Sequence, residues 1–277
     1  MTAPLALVCG SGAFPLAVAD AAAAEGRQLF LIGIRGAADT AIARYPHAWA
    51  GMGRVSRMFR LIREAGAREV AFVGAVPRPS FGLDFIPDLR FVRAMLGALG
   101  AGDDGMLRVL TRELDREGLI LRGVPDIAPG LILPVGTLGS HEPSAHALEA
   151  ARFGFDVLGA LGPYEVGQGL VVAGRRVIAV EAAEGTDLML ERVAAMCEDG
   201  LVKVPSARCV FVKAARRGQE LRLDTPAIGP ETVARVKAAG LSGIAVVAGE
   251  VMTPDVPALV AAADREGVFV LGMDAAA

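Results

Sequence analysis

The chain has 277 residues, enough for two ordinary domains and a sizeable buried core. Its 28 Lys and Arg against 31 Asp and Glu leave a formal net charge of −3, which excludes the basic footprint of a nucleic-acid binder as well as an acidic tail. Mean hydropathy is +0.46, yet Gly, Pro or charge interrupts each apolar run before about 18 residues, so no spanning helix is expected.

The three cysteines, Cys9, Cys197 and Cys209, are odd in number, far apart and set in apolar surroundings, as expected of reduced, buried thiols in a cytosolic protein. The first residues carry no charged n-region, and the mature chain is expected to begin at Met1 or Thr2.

Leu5 to Cys9 read as a buried strand. Gly10, Ser11 and Gly12 follow, and then an alanine-rich helix ending near Gly26. A strand, a glycine turn and a helix start form the order in which helix N–H groups meet a phosphate, and the glycines would let a ligand approach the backbone. A dinucleotide fingerprint would want a third glycine where Pro15 stands, and an acid where the next strand, Leu29 to Ile34, is followed by Arg35. Val55, Met58, Phe59 and Ile62 repeat at a helical period, and Val70 to Val73 make a third strand. Alternating strands and helices imply a parallel, Rossmann-like sheet. The rigid loop Gly74 to Pro79, with Arg78 as a phosphate partner, falls at its carboxyl edge. Asp103 and Asp104 open a helix over 106–117, where they read either as ligands of a metal or sugar or as an N-cap and first-turn acid. Leu119 to Val124 then read as a strand.

A cluster of Pro and Gly from Pro125 to Gly136 marks a change of regime. The chain is therefore expected to divide into a first domain over 1–133 and a second, smaller α/β unit over 134–277. His141 and His146 have poor metal-ligand spacing and read as structural. The second series is helix 144–160, strands 169–172 and 176–182, helix 186–198, strand 208–214, a helix from Pro230, strand 243–248, helix 256–266 and strand 268–272. Gly167, Gln168 and Gly169 form a turn able to present backbone donors and an amide.

The densest chemistry lies at Glu181 to Asp187. There a strand breaks into a small acidic turn, with Glu184 and Gly185, and Thr186 is expected to cap the next helix. A phosphate on the helix N–H groups with a cation beside it, or a plain capped helix with Asp187 complementing the dipole, both fit. Lys213 ends a buried strand, on the face of Phe211 and opposite Val210 and Val212, where a charge needs a partner. In Gln219 to Pro226 alternation sets Leu221 and Leu223 against Glu220, Arg222 and Asp224.

Together, Gly10-Ser-Gly-Ala-Phe-Pro15, Gly74-Ala-Val-Pro-Arg-Pro79, Gly102-Asp-Asp104, Gly167-Gln-Gly169, the run from Ala179 to Asp187, and Lys213 followed by Gln219-Glu-Leu-Arg-Leu-Asp224 resemble the bacterial UDP-2,3-diacylglucosamine pyrophosphatases of lipid A synthesis, of the type without a calcineurin-like fold. The resemblance spans nearly the whole chain. It implies two α/β domains with the active site between them, a homodimer, Mg²⁺, and hydrolysis to UMP and 2,3-diacylglucosamine 1-phosphate. It also implies an essential carboxylate at Asp224. Where that family reads Lys-Pro-Gly-Gln-Asp, this chain has Arg216 to Glu220. On this reading Asp224, with Asp187 or Glu184, binds Mg²⁺, and Lys213, Arg222 and Thr186 stabilise phosphoryl charge. Gly10, Ser11, Gly12, Gly74, Arg78, Asp103, Asp104, Gly167, Gln168, Gly169, Glu184, Gly185 and Gln219 complete the substrate site. A diacylated substrate implies weak, peripheral contact with the cytoplasmic membrane. The competing readings are a non-catalytic nucleotide-sugar binding module and an NAD-dependent oxidoreductase.

Overall fold

The computed structural model describes residues 3–76, 87–97, 103–202 and 208–274. They form two compact units, Met1–Gly130 with Arg222–Asp224, and Leu131–Leu221 with Thr225–Ala277.

The first unit runs β1 (Leu5–Cys9), α1 (Phe14–Ala24), β2 (Leu29–Ile34), β3 (His47–Ala50), α2 (Val55–Glu64), β4 (Glu69–Val73), α3 (Leu89–Gly97), α4 (Asp103–Arg116), β5 (Ile120–Leu121) and α5 (Val124–Ile127). Its sheet has the order β3-β2-β1-β4-β5, and the strands are parallel. Strands covered on both faces must be apolar throughout, and all five residues of β1 are buried. Ala6, Val8, Ile32 and Val70 pack with Phe59 and Ile62 of α2 and with Leu114 of α4.

Two details differ from the sequence reading. The strand expected over Leu119 to Val124 is only Ile120–Leu121, because the Gly123 N–H bonds the Asp126 carboxylate at 3.1 Å and starts α5. Pro125, which cannot donate to a sheet ladder, fits that first helical turn. The edge strand β3 has no apolar alternation to announce it; Gly33 lets Trp49 and Ile42 close over β2, since a Cβ there would lie 2.6 and 2.5 Å from them.

The second unit runs β6 (Gly136–Leu138), α6 (Ala145–Leu161), β7 (Gly169–Ala173), β8 (Arg176–Val180), α7 (Gly185–Glu198), β9 (Cys209–Lys213), α8 (Pro230–Ala238), β10 (Gly243–Val247), α9 (Val256–Glu266) and β11 (Phe269–Met273). The sheet is mixed, in the order β6-β11-β10-β9-β7-β8. β9, β10 and β11 are parallel, β7 is antiparallel to both β8 and β9, and β6 is antiparallel to β11. Alternation along β9 divides the core as its sequence requires. Phe211 joins Met189, Leu190, Val233, Val236 and Leu259 from α7, α8 and α9, while Val210 and Val212 join Ala147, Ala150 and Leu158 from α6.

The alternating stretch Gln219 to Pro226 is a series of turns instead of a strand. Gly218 takes a positive φ of 85°, the Gln219 side chain accepts from the Arg216 N–H at 2.9 Å, and the Thr225 hydroxyl donates to the Leu221 carbonyl at 2.7 Å. These local bonds satisfy backbone groups that a ladder would otherwise take.

The cysteines are free thiols. Burial pushes the Cys9 thiol up to about 12 and raises that of Cys209, while Cys197 is half-buried. Buried thiols of this kind are chemically inert.

Asp264 of α9 clasps the turn after β6. It accepts from the Ser140 N–H at 2.7 Å and from the Ser140 hydroxyl at 2.8 Å. Gly139, at φ +91°, leaves room for it, since a Cβ would lie 2.6 Å from Oδ1. The Ser140 N–H, then its hydroxyl, hold the Asp264 carboxyl below the usual carboxylate range. A depressed carboxylate pKa stabilises the fold above the unfolded-state value, and that contribution is lost as pH falls through the folded value. Asp264→Asn should therefore lower Tm at pH 7, and the deficit should close as pH is taken down to about 2. Thermal unfolding across that range measures it.

Candidate functional site

In the first unit the candidate residues gather where strand order reverses, between β1 and β4, the place at which open α/β sheets take ligands. Ser11 and Ala75 form an antiparallel bridge, with N–H to carbonyl distances of 2.7 and 3.2 Å, and the Ser11 hydroxyl donates to the Ala75 carbonyl at 3.0 Å. A Cβ on Gly10 would lie 2.5 Å from the Ala75 carbonyl oxygen, and one on Gly74 would lie 2.6 Å from that of Ser11. Gly10 and Gly74 are thus required by the closure of one loop on the other. Gly12 is different: it has φ +92° and nothing within 4 Å of its missing Cβ. Beside it α1 begins without a side-chain cap.

Arg78 lies outside the described residues. Asp103 and Asp104 open α4, and their side chains are also outside the described set. In the segment Arg222–Asp224, Leu223 packs against the first unit's core between an exposed Arg222 and a half-buried Asp224. The Arg222 Cα lies 3.2 Å from the Cβ position that Gly123 leaves empty.

In the second unit the sheet's carboxyl edge carries the chemistry. Because β7 is antiparallel, its first residue Gly169 pairs with Lys213, the last of β9, and β8 returns the chain to the same edge at Glu181. The Lys213 side chain is 6% exposed; its ammonium donates to the Thr186 hydroxyl at 2.6 Å and lies 3.6 Å from Glu181 Oε2. The Thr186 hydroxyl in turn donates to the same Oε2 at 2.9 Å. At 3.6 Å the lysine and carboxylate form an ion pair and no hydrogen bond. Among the described residues, then, Thr186 takes one of three N–H donors of Lys213, leaving two for a ligand or water.

Thr186 is therefore not the cap expected of it. Glu184 occupies the N-cap position without a side-chain cap bond, Gly185 turns the chain at φ +80°, and the Thr186 hydroxyl is committed to Lys213 and Glu181. The Gly167-Gln168-Gly169 turn packs against the strand beside it. A Cβ on Gly167 would lie 2.0 Å from the Glu181 carbonyl oxygen, and one on Gly169 would lie 2.4 Å from Glu181 Oε2 and 2.9 Å from the Phe211 ring. The Gln168 carbonyl accepts from the Ala214 N–H at 3.0 Å.

The carboxylates at the start of α7 lie beside arginines. Asp187 Oδ1 lies 3.3 Å from Arg235 Nε of α8, and Glu184 accepts from Arg192 at 2.7 Å. Glu184's own N–H, then Arg192, hold its carboxyl below the usual range, so it stays ionised and paired. Among the described residues no group of three or more His, Cys, Asp or Glu is placed to hold a metal ion. Gln219 is 9% exposed and closes its own turn through Arg216. Glu181 received no role in the sequence reading; its one signal is an acid directly after a buried strand, five residues before a hydroxyl and level with a buried lysine.

The chain matches two family models that abut near the boundary of the two units: the LpxI N-terminal domain over residues 4–131 and the LpxI C-terminal domain over 134–271. It is 37% identical over 273 residues to a UDP-2,3-diacylglucosamine pyrophosphatase LpxI of Caulobacter vibrioides, covering 98% of this chain and 97% of that protein. With both domains matched and a full-length relative at this identity, the chain belongs to the LpxI family.

Proposed function

We propose that the protein hydrolyses the pyrophosphate of UDP-2,3-diacylglucosamine, releasing 2,3-diacylglucosamine 1-phosphate and UMP as a step of lipid A biosynthesis. The observation that carries this reading to particular atoms is the Lys213 ammonium, buried at a sheet's carboxyl edge with two N–H donors uncommitted among the described residues. A buried cation so arranged needs acceptors, and phosphoryl oxygens supply both the lone pairs and the negative charge. It would stabilise the charge that develops as water adds to one phosphorus and the bridging oxygen leaves with the other.

Asp224 takes the role of essential carboxylate, as the family resemblance implies. The donor groups around the candidate residues are carboxylates and hydroxyls, which suit a hard cation and not a soft one. We assign Asp224 to Mg²⁺ as the family resemblance implies, with Asp187, whose Oδ1 lies 3.3 Å from Arg235 Nε, as the second carboxylate. When bound, Mg²⁺ would neutralise phosphoryl charge and lower the pKa of a coordinated water. Gly12 and the open start of α1 are assigned to a phosphate or the sugar, and Arg222 to phosphoryl charge. Among the described residues no helix is long and apolar enough to cross a membrane, so we assign access to the diacylated substrate to peripheral contact. We take the active species to be a homodimer.

Asp224→Ala should lower Mg²⁺-supported release of UMP by about two orders of magnitude or more. Wild-type turnover in the variant would remove the assignment. Separately, activity should be lost on chelation with EDTA and restored by excess Mg²⁺, read as UMP released per minute. Full turnover in EDTA would exclude the metal.

A further inference from the structure

We infer that Glu181 is a positioning residue for the reaction: its carboxylate sets the direction of the Thr186 hydroxyl and, through it, of the Lys213 ammonium. The inference rests on the assignment of Lys213 to phosphoryl charge. It starts from proton polarity. A hydroxyl has one hydrogen and can donate only once. Because the Thr186 proton goes to Glu181 Oε2 at 2.9 Å, its lone pairs are turned to Lys213, which fills one at 2.6 Å. Glu181 thereby fixes which Lys213 N–H is engaged, and so where the other two point.

The charge environment agrees. Lys213 and Glu181 are 6% and 13% exposed, so the carboxylate also supplies the counter-charge without which a buried ammonium is costly. The other charged groups of α7 near this turn face elsewhere, Glu184 to Arg192 and Asp187 to Arg235. On the β10 side, Glu250 is bonded to the Ala215 N–H.

Space has been left for this carboxylate. A Cβ on Gly169 would meet Oε2, the atom that accepts from Thr186, at 2.4 Å, and one on Gly167 would meet the Glu181 carbonyl oxygen at 2.0 Å. Both glycines of the Gly167-Gln168-Gly169 turn therefore admit Glu181, so the turn serves the lysine before it serves any ligand. A lysine has a long, flexible stem, and an unguided ammonium would meet a phosphoryl oxygen in many orientations. Fixing it beforehand favours the transition state over substrate binding.

The test is steady-state hydrolysis of UDP-2,3-diacylglucosamine, with Tm as the folding control. Glu181→Gln should lower kcat on the order of tenfold with KM within about twofold, the loss of one charge-assisted contact that acts only through Lys213. Glu181→Asp should recover part of kcat. Thr186→Val should fall as Glu181→Gln does and Thr186→Ser should not, and the double variant E181Q/T186V should be no slower than the slower single, because the two act as one unit. Wild-type kcat in Glu181→Gln and Thr186→Val, with Lys213→Met inactive, overturns the inference and leaves the lysine assignment standing. Wild-type activity in Lys213→Met overturns that assignment itself. A Glu181→Gln defect that tracks lost Tm, with no recovery in Glu181→Asp, assigns the residue to packing and also overturns the inference. Should Glu181→Gln fail to fold, the Thr186 pair decides.

Discussion

A lysine ammonium buried at the end of a central strand is the constraint on which the second unit depends. Burying a charge without a partner costs several kcal/mol, so the chain must bring an opposite charge and a hydrogen-bond acceptor to the end of β9. The topology does this. A purely parallel continuation from β9 would deliver one chain segment per strand to that edge. The antiparallel excursion of β7 and β8 delivers two, Gly169 on the way in and Glu181 on the way out, and α7 then starts at Thr186. The lysine's partners are thus supplied by the residue that follows β8, two strands away, and by the first turn of α7.

The same requirement explains the charges around it. Four acids lie within or just before the first two turns of α7, and they face three different cations. Glu181 faces Lys213, Glu184 faces Arg192, and Asp187 and Glu191 face Arg235. Only the first belongs to a buried pair. The others are partly exposed pairs of the kind that contribute little to stability.

Much of this arrangement is legible from the residues alone, for reasons that differ from place to place. Strands buried on both faces are short apolar runs, so β1, β2, β4, β9 and β10 stand out. The alternation in β9 by itself places Lys213 on the Phe211 face, opposite Val210 and Val212. Legibility fails where local side-chain bonds take over from periodicity. Leu221 to Asp224 alternates as a strand would, yet Thr225, Gln219 and Gly218 close turns that alternation does not reveal. Thr186 carries the composition of a cap and serves instead as a relay, because what distinguishes the two is an acid and a lysine whose spatial neighbourhood a linear reading does not supply. The role of Glu181 is hidden in the sequence for the same reason. The placement of Asp103 and Asp104 at a helix start was legible as well, and their side chains lie outside the described residues.

Glycine is where the two kinds of inference part. A glycine beside a strand end signals that something approaches the backbone, without saying whether that is a ligand or the protein itself. Gly10, Gly74, Gly167 and Gly169 are all filled from within, each with protein atoms less than 3 Å from the missing Cβ. Gly12 and Gly185 have positive φ and open space around that position. The first group is fixed by packing, and replacing any of them would disturb the loops that carry the site before it disturbed recognition. The second group combines conformational demand with empty volume at a helix start, the combination a phosphate needs, since its oxygens must come within hydrogen-bond distance of helix N–H groups that no side chain shields. Of the glycines in these four turns, Gly12 and Gly185 are the ones whose missing Cβ would meet no protein atom within 4 Å.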